Sequence, residues 1–268
     1  MLPNKVILVC GVANKRSIAW NVATRFRREG AQVIVTYQKP EFQRKIQTLL
    51  DEENSVNGAP LKSICCDVTK EEDLISLKEH ISSDYHHLDS LFHAIAFAPS
   101  SALKSPLLDL SLNDFLTTLH ISCYSLLSLT HTLESLFIPK SSITALSFIG
   151  SQQIVPGYGV MSIAKASLEA TAQQMAAALV DLFYSYHMQG PKQVRVNILR
   201  ALPLNTLAAR GIPDFLEMKK RLESTKMMQQ VDGMKAVCDS AVYLASDLSE
   251  GVTGECINAD AGSSHVRV

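Results

Sequence analysis

Val6-Ile7-Leu8-Val9-Cys10-Gly11-Val12-Ala13-Asn14-Lys15-Arg16-Ser17-Ile18-Ala19 decides the fold. A Val- and Ile-rich run proceeds without polar alternation into a glycine, which suits a strand covered on both faces. After a short polar loop, Ser17 stands in front of Ile18, Ala19, Val22, Ala23 and Phe26, which share one face of a helix that Gly30 ends. Strand, tight loop and helix N-terminus together form a phosphate-binding arrangement, because free backbone N–H groups and the helix dipole face the loop. The loop is not G-x-G-x-x-G. Only Gly11 remains, and by itself this segment equally fits a plain tight turn with Ser17 as the helix cap.

The pattern recurs outward from this stretch. Near-continuous apolar runs occupy residues 6–12, 32–38, 63–68, 90–97, 143–150, 195–200 and 256–261, with helical stretches between them. Strand, helix and strand in repetition imply right-handed crossovers and a parallel sheet. The predicted fold is therefore α/β: a Rossmann-type, doubly wound, seven-stranded parallel sheet with helices on both faces. No repeat, low-complexity segment or Pro/Gly/Ser linker divides the sequence, so residues 1–268 read as a single dinucleotide-binding domain.

Composition removes other classes. With 268 residues, 47% of them hydrophobic, and a formal net charge of −1, the chain is neither disordered nor a polyelectrolyte. It has no broad basic field for nucleic acid. Mean hydropathy is +0.10, yet charged residues interrupt every apolar stretch before roughly 18 residues accumulate, so no membrane span is expected. The surplus apolar surface must enter a large core or subunit contacts. The first dozen residues carry no signal-peptide pattern. The six cysteines form no C-x-x-C pair, and the expectation is reduced thiols in a cytoplasmic protein. The eight histidines show no ligand spacing, so no metal is expected.

A sheet of this kind binds its ligand outside the carboxyl ends of its strands. The second run ends Thr36-Tyr37-Gln38. Gln38 can hydrogen-bond ribose hydroxyls, and no Arg stands beside it for a 2′-phosphate, although Lys39 follows. Asp67, in Cys66-Asp67-Val68, can accept from an adenine amino group. His93-Ala94-Ile95-Ala96-Phe97 supplies small residues where backbone approaches a ribose. Past the fifth run, Tyr158-Gly159-Val160-Met161-Ser162-Ile163-Ala164-Lys165 spaces Tyr and Lys about two helical turns apart. If Tyr158 sits just before the helix, both side chains reach one bound nicotinamide ribose. Lys165 then holds the ribose hydroxyls, and Tyr158 polarises a substrate oxygen. Tyr-x6-Lys alone fits a packed tyrosine and a surface lysine better.

Gly11-x5-Ser17-Ile18-Ala19, Thr36-Tyr37-Gln38, Cys66-Asp67-Val68, Ile95-Ala96-Phe97, Tyr158-x6-Lys165 and Ser246-Asp247-Leu248 with Gly251-Val252-Thr253-Gly254-Glu255 together resemble the NADH-dependent enoyl-acyl carrier protein reductases. These are divergent short-chain dehydrogenase/reductases. The resemblance runs from about residue 4 to residue 262. It implies hydride transfer from NADH to the β-carbon of a trans-2-enoyl thioester, with Tyr158, Lys165 and Phe148 at the catalytic positions. Phe148 stands where common superfamily members carry a Ser and this family usually a Tyr. The resemblance also places Gly11, Ser17, Ile18, Gln38, Asp67, Val68, Ala94, Ile95, Lys165, Leu204 and Thr206 against the NADH/NAD+ cofactor. Phe97, Met161, Ala208, Ile212 and Phe215 would line an acyl tunnel, within a substrate-binding loop at about 204–222. The implied partner is an acyl carrier protein-bound or coenzyme A-bound enoyl substrate, and the implied assembly is a homotetramer.

The sequence departs from that family in four places. Arg200-Ala201-Leu202-Pro203-Leu204-Asn205-Thr206 replaces Ser-Ala-Gly-Pro-Ile-Arg-Thr, and a Leu for Gly adds a side chain and strain beside the nicotinamide pocket. About ten extra residues lie between Ala178 and Gly190. Asp260-Ala261-Gly262-Ser263 replaces Asp-Gly-Gly-Phe. Pro213 and Leu216 replace basic residues, while Lys219-Lys220-Arg221 follow; this triplet either meets an acidic carrier or forms a solvated helix face. Two rival readings remain at this point: a superfamily reductase acting on another enone or ketone, and an NAD-binding paralogue impaired in turnover.

Overall fold

The computed structural model describes residues 1–56, 58–186 and 193–266. In chain order the elements are β1 (Val6–Cys10), α1 (Ile18–Arg28), β2 (Gln32–Tyr37), α2 (Gln43–Asn54), β3 (Lys62–Cys65), α3 (Glu71–Asp84), β4 (Leu88–His93), α4 (Ser100–Lys104), α5 (Leu112–Leu119) and α6 (Ser125–Leu133). They continue with β5 (Phe137–Phe148), α7 (Gly159–Tyr186), β6 (Arg195–Ala201), α8 (Phe215–Ser224), α9 (Gly233–Ala245) and β7 (Cys256–Ala259). A π-helical turn, His120–Tyr124, joins α5 to α6.

The seven strands form one sheet in the order β3-β2-β1-β4-β5-β6-β7, and every neighbouring pair is parallel. This is the doubly wound architecture the sequence predicts. Its unalternated strands have the expected cause. On β1, Ile7 and Val9 enter a core with α1, α2 and α9, while Val6, Leu8 and Cys10 enter a second core with α3, α6 and α7. Each face needs its own apolar set, so both parities of the strand are apolar. Phe26 of α1 meets Phe92 of β4 edge to face, with ring centroids 6.1 Å apart. Among the described residues no helix is long and apolar enough to cross a membrane.

Several boundaries differ from the sequence reading, three of them beside the site or by a long stretch. β1 stops at Cys10 because Gly11 turns to φ +102°. β4 stops at His93, and Ala94-Ile95-Ala96, apolar enough to pass for strand, is loop. β5 begins at Phe137, six residues earlier than the apolar run. Helix α7 continues to Tyr186, into the stretch of extra residues, and 187–192 lie outside the described residues. Leu202, expected to strain the backbone, is not among the residues with positive φ. It is buried and lies where a side chain on Gly233 would meet it, 3.2 Å from a Cβ.

The strand order reverses between β1 and β4, and there the two backbones part. Ala94 N–H still donates to Cys10 O at 3.1 Å. A Cβ on Gly11 would lie 2.5 Å from Ala94 O, against backbone that cannot yield. Gly11→Ala therefore combines a left-handed φ with a collision. It should cost about 2 kcal/mol or more of unfolding free energy by urea denaturation. A change within ordinary surface-mutation scatter would refute this close approach.

Candidate active site

The crevice above β1 and β4 is built from loops that hold themselves in place. Ser17 is the N-cap of α1, but its side chain does not cap the helix. Its Oγ instead accepts from Ala13 N–H at 3.1 Å and Asn14 N–H at 3.0 Å, curling the loop back on itself. The first turn of α1 is thus left uncapped by any side chain and free of acidic residues. An uncapped helix N-terminus facing a glycine cradle suits a pyrophosphate. The Gly11 cradle, which a Cβ would fill, is the geometry such a group requires.

At the far end, Gln38 Nε2 donates to Asp67 Oδ2 at 3.2 Å. Asp67 Oδ1 accepts from Thr69 N–H at 3.1 Å and Thr69 Oγ1 at 2.7 Å. Burial pushes the Asp67 carboxyl up, but these hydrogen bonds outweigh it and hold the group below the usual range. Gln38 and Asp67 are therefore one unit, and Val68 beside them is buried. Ala94 and Ile95 line the loop after β4, half-buried. Leu204 packs against the first core with Ile18. Thr206 Oγ1 accepts from Ala209 N–H at 3.1 Å, which fixes the start of the loop after β6.

Tyr158 directly precedes α7, and Lys165 lies inside it. Both are about 6% exposed. The Phe148 ring meets Tyr158 edge-on, with centroids 4.9 Å apart, and a Cβ on Gly150 would lie 2.5 Å from Tyr158 Cδ1. The phenol is therefore held by contact on two sides. Its oxygen has no hydrogen-bond partner among the described residues. Burial, helped by the charge of Glu169, pushes its pKa well above the usual phenol range, so it remains a neutral donor. Lys165 Nζ donates to Leu146 O at 2.7 Å. Burial lowers its pKa to about 8, against an opposing pull from Glu169.

A third apolar cluster sits beyond the sheet's carboxyl edge. It brings Met161, Phe215 and Ile212 onto Tyr158 and Phe148. Two of the residues expected beside them lie elsewhere. Phe97 is 48% exposed, with its backbone N–H donating to Ser122 Oγ at 2.9 Å and its C=O accepting from the same hydroxyl at 2.8 Å. Ala208 is exposed, and its neighbour Ala209 packs in the cluster instead. The chain turns there so that one alanine of the pair faces inward.

Sequence reasoning missed three features. His93, fully buried at the end of β4, contacts Ser125 Oγ through Nε2 at 2.8 Å. Ser125 spends its own proton on Ile121 O, so Nε2 is the donor, and Nδ1 has no partner among the described residues. Burial first, then the charge of Lys165, lowers the His93 pKa to about 3, which makes it neutral. The second feature is the π-helical turn, which sets Ser122 against the backbone of Phe97 and Cys123 against Thr171 of α7. The third is a buried ion pair between Arg200 and Glu169, N to O 2.6 Å. The sequence marks Arg200 as foreign to the family pattern, but nothing in it points to Glu169 as the partner.

The parallel sheet, its glycine turn and the Tyr–Lys pair after the fifth strand define a dinucleotide-binding oxidoreductase of the short-chain type. Comparison with known proteins narrows the class. Residues 11–264 match the family model described as Enoyl-(Acyl carrier protein) reductase. The chain is 34% identical over 262 residues to the NADH-designated enoyl-acyl-carrier-protein reductase of Bacillus cereus, covering 98% of this chain and 97% of that one. It is 37% identical over 261 residues to the NADPH-designated reductase of Staphylococcus aureus, covering 97% of each. The crystal structure of the Anaplasma phagocytophilum reductase in complex with NAD has a TM-score of 0.88 to it at 32% identity, covering 100% of this chain and 96% of that one. The chain belongs to the enoyl-(acyl carrier protein) reductase family.

The lysine at the centre of this site yields a direct measurement. With 13C-labelled lysine in the ligand-free protein, one ε-carbon should titrate with a midpoint near 8. The group is charged below that pH and neutral above it, and the signal should vanish in Lys165→Met. A lowest lysine midpoint at the ordinary value of about 10.4 would contradict the burial of Lys165.

Proposed function

We propose that this chain, a single dinucleotide-binding unit with its substrate loop at 204–222, reduces the carbon–carbon double bond of trans-2-enoyl thioesters on an acyl carrier or coenzyme A. The observation that carries the reading is a neutral, unpartnered phenol at Tyr158 with Phe148 edge-on against it. Common short-chain enzymes place a hydroxyl beside the tyrosine; here that neighbour is a hydrocarbon ring. The phenol alone must polarise the substrate oxygen, which fits an oxygen one conjugated bond away from the reacting carbon.

The cofactor residues would be Gly11, Ser17 and Ile18 at the pyrophosphate, Gln38, Asp67 and Val68 at the adenosine, and Ala94, Ile95, Lys165, Leu204 and Thr206 toward the nicotinamide. The cofactor, when bound, supplies the hydride to the β-carbon. Tyr158 donates a hydrogen bond to the thioester oxygen and so stabilises the enolate formed as the double bond is lost. A proton added at the α-carbon completes the saturated product. Lys165 holds the ribose hydroxyls with its ammonium, and Met161, Ile212 and Phe215 keep the acyl chain and the reacting atoms dry. The Asp67 carboxylate bonded to Gln38 disfavours a 2′-phosphate, which supports NADH over NADPH.

The expected assay is loss of NADH absorbance with crotonyl- and dodecenoyl-thioesters, with NADPH run in parallel and supporting slower turnover. Tyr158→Phe should lower kcat on the order of 10²–10³-fold, the cost of losing one donor to a developing oxyanion. Lys165→Ala should lower it as strongly through the cofactor. Lys220 and Arg221 are exposed on α8, so reversing both charges should raise KM for the carrier-bound substrate more than for the coenzyme A ester. NADH binding without turnover of any enoyl substrate would favour an impaired paralogue. Turnover of ketones alone would favour a carbonyl reductase.

The same reading includes a cytoplasmic homotetramer. Leu112 is 72% exposed, Leu116 55%, Tyr124 54% and Leu127 39%, all on the outer face of α5, the π-helical turn and α6. Together with Leu119 and Ser167 of α7, the last three border an apolar groove. A soluble chain does not keep so contiguous a patch wet, and a second copy of this face covers it. Light scattering should give the mass of a tetramer for the parent and a smaller species for Leu116→Asp with Tyr124→Asp. A monomeric parent would refute the assembly.

A further inference from the structure

Arg200 and Glu169 form a buried ion pair that the reduction chemistry above does not use. Glu169 stands one helical turn beyond Lys165 on α7 and is 5% exposed. Its Oε1 accepts from Ser147 Oγ at 2.6 Å, Ser151 Oγ at 2.6 Å and Arg200 Nε at 2.8 Å. Its Oε2 accepts from Arg200 Nη2 at 2.6 Å. Arg200 Nη1 reaches Asn258 Oδ1 at 3.3 Å. Ser147 pairs with Arg200 across β5 and β6, and Arg200 with Asn258 across β6 and β7. The group is therefore one polar rung across three strands, roofed by α7. A buried ion pair adds little stability over apolar residues of the same volume, so stability alone is a poor account of the rung.

Its location supplies a better one. Ser147 and Ser151 flank the Phe148-Ile149-Gly150 turn, and Glu169 ties both ends of that turn. Phe148 and Gly150 are the residues that touch the Tyr158 ring. Leu146, one residue before Ser147, gives the carbonyl that receives Lys165 Nζ. We infer that Arg200 is a positioning residue for the Tyr158–Lys165 pair: through Glu169 it clamps the 146–151 segment against the phenol and neutralises the carboxylate that faces the lysine. This rests on the reductase reading above.

The electrostatic half has a definite sign. The groups acting on Lys165 are Glu169 on its own helix and Cys123 from the π-helical turn, and the lysine in turn acts on His93 of β4. His93 is neutral, so Glu169 is the full charge among them. An opposite charge favours the ammonium. With Arg200 present, the two Arg–carboxylate bonds offset that influence. Without it, the Lys165 midpoint rises. Without Glu169, the unpaired guanidinium lowers it. A purely structural rung would not move the midpoint in opposite directions.

The test compares Arg200→Met, Glu169→Gln, the double variant and Ser151→Ala in the full chain, each checked for native circular dichroism and NADH binding. Arg200→Met should lower kcat on the order of 10²-fold, as expected when reacting groups shift by about an ångström, with KM changing much less. Its Lys165 midpoint, read by 13C NMR in the ligand-free protein, should move up. In Glu169→Gln it should move down, and in the double variant it should return toward the parent value. Ser151→Ala, which changes no charge, should lower kcat a few-fold and leave the midpoint where it was. A folded Arg200→Met protein with the parent's kcat, or with an unmoved midpoint, overturns the inference. If the parent itself reduces no enoyl thioester, the reductase reading fails, while the midpoints still decide whether Arg200 acts on Lys165.

Discussion

The carboxyl edge of this sheet is organised by a steric constraint: the backbone of Gly11 passes so close to Ala94 O that no side chain fits between them. β1 and β4 stay paired to their last residues, Cys10 and His93, and then separate. The separation opens a crevice where the strand order reverses, the position at which a doubly wound sheet receives a dinucleotide. It also aims the uncapped N-terminus of α1 across the opening. On the β4 side, the loop that leaves Ala94 is fastened by both backbone groups of Phe97 to Ser122. The π-helical turn there is thus a fitting between loop and α7, which agrees with the frequency of such turns at functional sites.

Burial supplies most of the chemistry. The same low-polarity surroundings that keep the Tyr158 phenol protonated loosen the proton of Lys165 and strip His93 of charge. In the proposed mechanism a neutral phenol donates a hydrogen bond and a charged lysine holds ribose hydroxyls, so the two pulls must not both run to their limit. Glu169 favours the charged lysine and the protonated tyrosine at once. Arg200 restrains that carboxylate. The deeply buried thiols obey the same rule: Cys10 is pushed up to about 12, which makes it a packing residue rather than a nucleophile.

The sheet could be read from the sequence because each doubly covered strand must be apolar at both parities, and such runs stand out. Their ends could not be read equally well. Ala94-Ile95-Ala96 is as apolar as the strand before it, yet it is loop, because β1 ends at Cys10 and gives it no further strand to pair with on that side. Tyr158 and Lys165 stand out only through the resemblance, because their spacing alone fits a packed tyrosine and a surface lysine better. The resemblance places Phe97 and Ala208 in the acyl tunnel, yet each is exposed beside a neighbour that packs inward, Ala98 and Ala209, and the direction of a loop side chain has no periodicity to reveal it. Arg200 was visible as an anomaly. Its meaning lay in Glu169, 31 residues away, where only the docking of α7 on β6 brings them to 2.6 Å.

Two of the four departures from the family pattern, in Arg200–Thr206 and Asp260–Ser263, place residues that meet identifiable partners. Arg200 has Glu169 and Asn258. Leu202 packs by Gly233 at the start of α9. Ala261 takes φ +55° where the family carries glycine, a cost of roughly 1–2 kcal/mol for a residue with a Cβ. Its carbonyl accepts from Met227 and Met228 N–H at 3.0 and 3.2 Å, which offsets part of that cost. Ser263 Oγ donates to Leu222 O at 2.9 Å and lies 2.6 Å from Thr225 Oγ1, tying the chain end to α8. Arg200, Leu202, Ala261 and Ser263 thus each meet a residue of the common framework, so the changed positions are held by the elements around them rather than by one another.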